Sequence, residues 1–149
     1  MSRASRLAFV CIGLLTSGPA AAHVVCSVSS TGVAFGVYDP RSGTALDGAG
    51  TINVSCDQGA SNVTITADGG GSGNKLSRRM TNGVSNLSYN LYTNSGRTSV
   101  FGDGTGGTSL FSFNSVNNSV SVSVYGRVAG SQNVTAGSYS DTLIMTVTF

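Results

Sequence analysis

The sequence predicts an all-β chain folded as a β-sandwich. Three observations carry that expectation. Apolar residues recur at every second position, turn signals rich in Gly, Asp and Asn separate these runs, and no stretch after residue 22 sustains a helical period. Short amphipathic strands joined by glycine-rich turns are the pattern of two sheets packed face to face.

The runs can be taken in chain order. Ile52, Val54 and Cys56 alternate with Asn53 and Ser55, and Val63, Ile65 and Ala67 alternate with Thr64 and Thr66. Leu87, Tyr89 and Leu91 alternate with Ser88 and Asn90, and Val120, Val122 and Val124 with Ser121 and Ser123. Leu143, Met145, Val147 and Phe149 close the chain, with Thr142, Ile144, Thr146 and Thr148 on the opposite face. Each run reads as a strand with one face on a core and the other in water. The turn signals between them include Asp39-Pro40, Asp47-Gly48, Asp57-Gln58-Gly59, Asp68-Gly69-Gly70-Gly71, Asn94-Ser95-Gly96 and Gly102-Asp103-Gly104. The polar stretch 69–79 reads as a mobile loop, and Arg78-Arg79 within it as a surface pair.

Ahead of the first strand lies an export signal. Arg3 and Arg6 form a positive start, residues 7–15 (LAFVCIGLL) an apolar core, and Ala20-Ala21-Ala22 the small residues that signal peptidase requires. The apolar run is too short to span a bilayer as a stable helix. Cleavage after Ala22 divides the chain into a signal peptide, residues 1–22, and a single domain, residues 23–149. The alternative is an uncleaved N-terminal anchor.

Removing that signal changes the electrostatics. The formal charge of +2 comes from Arg3 and Arg6, and what remains is six Lys/Arg against six Asp. No basic stripe is left for nucleic acid or an anionic lipid surface. Low net charge favours association over dispersal. Cys11 departs with the signal, leaving Cys26 and Cys56, and two thiols in an exported chain imply one disulfide. Closing a loop of that size contributes on the order of 3–4 kcal/mol in the chain-entropy view.

The residues for catalysis are largely missing. His23 is the sole histidine and becomes the first residue after cleavage. A copper site built on it would need a second histidine, and a Ser-His-Asp arrangement needs an imidazole held in a pocket. Two sulfurs with one distant imidazole do not complete a tetrahedral metal site. There is no Glu, and the six Asp read mainly as turn formers. Residues 102–107 (GDGTGG) lack the Gly-Lys-Ser/Thr of a phosphate loop and the oxygen ligands of a calcium loop. We expect no catalytic residue, no metal and no cofactor.

The segments after the signal, taken together, resemble the spore coat protein U domain family. They are Cys26 with residues 32–40 (GVAFGVYDP), residues 50–56 (GTINVSC), Arg79-Met80, and residues 87–93 (LSYNLYT) with Arg97. Further on come residues 101–107 (FGDGTGG), 124–128 (VYGRV), Gln132, 136–142 (AGSYSDT) and 146–149 (TVTF). Each is weak alone, but their order and spacing are specific. Phe101 stands where the family often has Trp.

That family resembles the subunits of archaic chaperone–usher pili, which are immunoglobulin-like sandwiches lacking one strand. The resemblance implies a secreted structural or adhesive subunit of a surface fibre, in transit through the periplasm. Its partners would be a periplasmic chaperone, an outer-membrane usher and neighbouring subunits, with no nucleic acid and no membrane embedding. It also implies that Cys26 and Cys56 join the first two strands. The terminal run would border the vacant slot, with Leu143, Met145, Val147 and Phe149 on its core-facing side. Cleavage after Ala22 leaves only His23, Val24 and Val25 before Cys26, too few for a donor strand, so a terminal or accessory subunit is expected. The alternative is a free-standing coat or matrix protein. A secreted carbohydrate-binding module ranks behind both, because it calls for an aromatic platform and Trp is absent.

Overall fold

A computed structural model describes residues 24–149; the expected signal peptide, residues 1–22, and His23 lie outside the described residues. Eight strands form two antiparallel sheets: β1 (Cys26–Thr31), β2 (Leu46–Cys56), β3 (Ala60–Ala67), β4 (Arg78–Thr81), β5 (Asn86–Tyr92), β6 (Phe111–Val116), β7 (Ser119–Val128) and β8 (Met145–Thr148). The five-stranded sheet runs β1-β2-β7-β5-β4 and the three-stranded sheet runs β6-β3-β8. The expected sandwich is present. Every run of alternating residues identified in the sequence lies in a strand, although β8 pairs over Met145–Thr148 only.

Registers explain the alternation. Val54, Ile52 and Gly50 of β2 sit opposite Val120, Val122 and Val124 of β7, so their side chains share the inner face. Ser55, Asn53 and Thr51 stand opposite Ser119, Ser121 and Ser123 on the wet face. Across the sandwich, Val63 and Ile65 of β3 are fully buried. Cys26 pairs with Cys56 in register and the two are disulfide-bonded, which joins the first two strands at one end.

Two sequence expectations require correction. Asp47-Gly48 is not a turn but lies within β2. Asp47 stands opposite Arg127 of β7, whose Nε and Nη2 donate to its two carboxylate oxygens at 2.7 and 2.8 Å. Gly48 pairs with Gly126, and the two open a shallow trough on the inner face. A Cβ on Gly48 would come within 2.6 Å of the Ala34 carbonyl oxygen, and one on Gly126 within 2.6 Å of Phe35 Cζ. These glycines are there because the chain leaving β1 crosses the sheet through this trough. Phe35 then meets the Tyr89 ring edge-on at 5.8 Å between centroids.

The stretch 69–79 is not a loose loop. It holds a 3-10 turn (Gly70–Ser72) and the start of β4, and of the two arginines Arg78 is fully buried while Arg79 is exposed. The reason is hydrogen bonding that the local sequence does not announce. Arg78 reaches the carbonyls of Asp68, Lys75 and Phe101 and the side chain of Asn90.

Replacing both Cys26 and Cys56 by Ser is expected to lower unfolding free energy by roughly 3–4 kcal/mol. Urea denaturation of the oxidised protein and the double variant measures the difference.

Candidate functional site

The two sheets are unequal, and the inequality creates the site. β1 pairs only with β2, and β8 only with β3. Val28 of β1 lies opposite Val54, so it faces inward, yet it is 48% exposed while Val54 is completely covered. Ser30, the next inward position of β1, is exposed as well, whereas Cys26 at the disulfide end packs against the core. In an immunoglobulin-type sandwich the C and F strands continue into a G strand beside F. Here β3 and β8 take the C and F places, and no described strand lies on the side of β8 away from β3.

Between the two open edges is a cavity of about 420 Å³. Ser30 and Ile52 line one side, Leu143 and Met145 the other, and Leu91 and Phe101 lie deep within it. A second space lies over the same sheet and shares Val33, Phe35, Met80 and Tyr139 with the first, so the two adjoin along the trough.

The structure places the four residues expected at the groove as follows. Leu143, Met145 and Val147 are half-buried and pack against the core. Phe149, beyond the last paired residue, is 52% exposed. Backbone geometry adds a second property. Just before β8, Asp68 donates its N–H to the Ile144 carbonyl, and the register continues as Thr66 opposite Thr146 and Thr64 opposite Thr148. Antiparallel ladders alternate, so Ile144, Thr146 and Thr148 point their backbone groups at β3. Met145 and Val147 therefore direct theirs away, along the open rim. Side chains facing the core and backbone groups facing the vacancy belong to the same residues.

A polar clasp that sequence reasoning missed fixes one end of this trough. Arg78 lies buried there with its guanidinium bonded to carbonyl and amide oxygens, and desolvation draws its pKa below the ordinary range. Losing it would leave the Asp68, Lys75 and Phe101 carbonyls without this donor, at about 1–3 kcal/mol for each left buried and unsatisfied. Beside it, Asp141 accepts hydrogen bonds from Tyr89 Oη at 2.7 Å and from the Gly71 N–H at 2.9 Å. Asp68 Oδ1 accepts from the N–H groups of Gly70 and Ile144. Gly70 has φ +57°, and a Cβ there would collide with the Asp141 carboxylate. The clasp ties the 3-10 turn, β5 and the lead-in to β8 together. The only signal for it in the sequence was the glycine run itself.

On the surface, Asp103 sits in the turn after Phe101, where the hydrogen bond from Lys75 holds its carboxyl well below the usual range. Asp47 is also held low, by the bond from Arg127 first. Among the described residues no cluster of three or more His, Cys, Asp or Glu is placed to hold a metal.

Against known proteins, the model of the Spore Coat Protein U domain matches residues 13–146. The chain belongs to that family. The Spore Coat Protein U domain found here also resembles solved structures at low identity. One is a chain of the CsuC-CsuE chaperone-tip adhesion subunit pre-assembly complex from archaic chaperone-usher Csu pili of Acinetobacter baumannii, with TM-score 0.56 and 19% identity. That match covers 85% of this chain and 40% of the other, so the domain spans well under half the length of the chain it matches. Another is HdaB, the minor tip subunit of the E. coli Hda pilus, with TM-score 0.41 and 20% identity over 81% of this chain and 79% of that one. The first likeness establishes the shared sandwich fold. No curated protein matches the sequence.

Tyr89 supplies a pH-dependent prediction. Burial first, and the bond to Asp141 second, raise its pKa above the ordinary tyrosine range. The folded chain thus keeps the proton after an unfolded tyrosine, near pH 10, has lost it. Its stability contribution is complete below about pH 10 and falls as pH rises above that. Thermal melts between about pH 8 and 11 should show this alkaline loss in the native protein, and a smaller one in Tyr89→Phe.

Proposed function

We propose that the protein is a structural or adhesive subunit of a bacterial surface fibre, assembled by chaperone and usher through strand addition. The observation that carries this reading is the open edge of β8 beside an apolar trough, over the uncovered inner face of β1. Membership of the Spore Coat Protein U domain family supports it, as does a fold shared with a chain from a chaperone-bound pilus complex.

The chemistry follows from the edge. An unpaired strand presents alternating N–H and C=O groups, and another extended chain satisfies both at once. The apolar trough then takes every second side chain of the incomer. A chaperone strand would cover the site in the periplasm, and a strand from a neighbouring subunit would replace it in the fibre. Without either, the open edge and exposed Val28 make association expected. The role is mechanical, not catalytic. Export rests on the signal at residues 1–22, and the final location is the cell surface. The place in the fibre is terminal or accessory, because the three residues between Ala22 and Cys26 are too few to serve as a donor strand.

Proline at a chosen position tests strand addition. Val147→Pro removes an N–H that points to the vacancy and spares the bonds to β3, whereas Thr146→Pro removes one that β3 uses. Both variants are co-expressed with the chaperone and usher genes of the same organism. Val147→Pro is expected to stay folded and oxidised but to lose at least about tenfold in chaperone recovery, equivalent to roughly 1.4 kcal/mol. Full recovery with Val147→Pro would contradict the reading. Thr146→Pro is expected to damage the fold itself.

A further inference from the structure

We infer that the outer face of the five-stranded sheet binds an acidic polysaccharide, with exposed arginines meeting its carboxylates and rows of Ser, Thr and Asn meeting its hydroxyl groups. The inference goes beyond the proposed function and does not depend on it, because strand addition engages the inner side of the sandwich.

The first ground is a polar lattice. The wet-face residues of β2 and β7 continue on β1 as Ser27, Ser29 and Thr31, which lie opposite Ser55, Asn53 and Thr51. Three adjoining strands thus present three rows of three side chains, none charged and none apolar. All are exposed except Thr51, which is half-buried. On a sheet such rows repeat about every 7 Å along the strands and about every 4.8 Å across them. Each hydroxyl both donates and accepts. This part of the face exchanges water for the hydroxyl groups of a sugar polymer without desolvating a charge.

The second ground is charge. Along residues 23–149 the six Lys/Arg and six Asp balance, but the fold sorts them. Asp47 and Arg127 continue the same face beyond the lattice. Arg97 reaches over it from a turn, with Nη1 3.2 Å from Asp47 Oδ2 and its guanidinium 5.8 Å from the centre of the Tyr125 ring. Arg79 of β4 projects from this face too, alternating with buried Arg78 and Met80. Three arginines against one aspartate leave the face positive, and the rest of the domain carries the opposite excess. Among the described residues Arg79 takes part in no ion pair, and the side chain of Arg127 is 42% exposed.

The two halves meet at Tyr125, which stands opposite Tyr92 of β5. Both rings are half-buried and form an apolar step for the carbon face of a sugar ring. From Ser55 to Asp47 the face extends roughly 27 Å along β2, at about 3.4 Å per residue. A polymer that repeats hydroxyls and carboxylates along its length complements both halves at once. A nucleic acid draws its affinity from many phosphate contacts, and an anionic bilayer from a polybasic cluster. Two accessible arginines beside an uncharged lattice supply neither.

Retention of the oxidised mature protein on sensor surfaces coated with polygalacturonate, dextran or inorganic polyphosphate tests this. Polygalacturonate is expected to bind at least about tenfold more tightly than either of the others, and added salt should weaken that binding. Arg79→Gln removes the unpaired cation, and Ser121→Asp places a negative charge in the middle of the lattice. Each is expected to lower affinity for polygalacturonate several-fold while leaving the circular dichroism spectrum and the disulfide unchanged. Val147→Pro, on the inner side, should bind as the native protein does. Equal binding to dextran or to polyphosphate would overturn the inference, as would no retention on polygalacturonate or full retention of both outer-face variants. Loss with Val147→Pro alone would place the polymer in the trough and overturn it too. None of these results bears on chaperone recovery, so the proposed function stands or falls separately.

Discussion

A strand needs neighbours on both sides, or water, for its backbone groups, and a sheet needs a cover for its apolar face. This molecule meets the second requirement for most of its length but leaves both open at one corner. Five strands face three, so β8 ends the smaller sheet while β1 continues beneath empty space. The half-exposed Val28, the cavity between Ser30 and Met145, and the unpaired rim are consequences of that one mismatch. Each is costly for an isolated protein and useful for one that is completed by another chain.

The remainder of the fold serves to hold that corner in shape. At one end the disulfide binds β1 to β2, so an otherwise exposed edge strand stays in register. At the other, buried Arg78 gathers carbonyls from three separate segments, and Asp141 and Asp68 tether the approach to β8. The glycine pair Gly48 and Gly126 lets the chain leaving β1 cross close against the sheet. Rigid ends with an open middle suit a slot that must accept a strand without refolding.

Much of this was legible in the residues. Strands whose inner face is Val, Ile or Leu and whose outer face is Ser, Thr or Asn declare themselves by period two, as β2, β3, β5 and β7 do. Where the apolar face is thin, the signal fades. β1 (CSVSST) carries a single apolar residue besides its cysteine, and beyond Cys26 all its residues are exposed. β6 (FSFNSV) has the alternation, with Phe111 and Phe113 half-buried, and could have been read. Arg78 could not be read. Its partners lie at residues 68, 75, 90 and 101, and only the folded chain brings them together. Asp47-Gly48 misled for a related reason: a dipeptide that usually turns the chain was selected for a cross-strand ion pair and for close backbone approach. The open groove was legible only through family resemblance, since a missing strand leaves no mark in the sequence that lacks it.

Sedimentation velocity of the refolded, oxidised mature chain, alone at about ten micromolar, bears most directly on the claim that this sandwich is incomplete. The account predicts a heterogeneous, associating sample that resolves into one species of monomer size when a strand peptide is supplied. A single, stable monomer without any added strand, unchanged by the peptide, would contradict it.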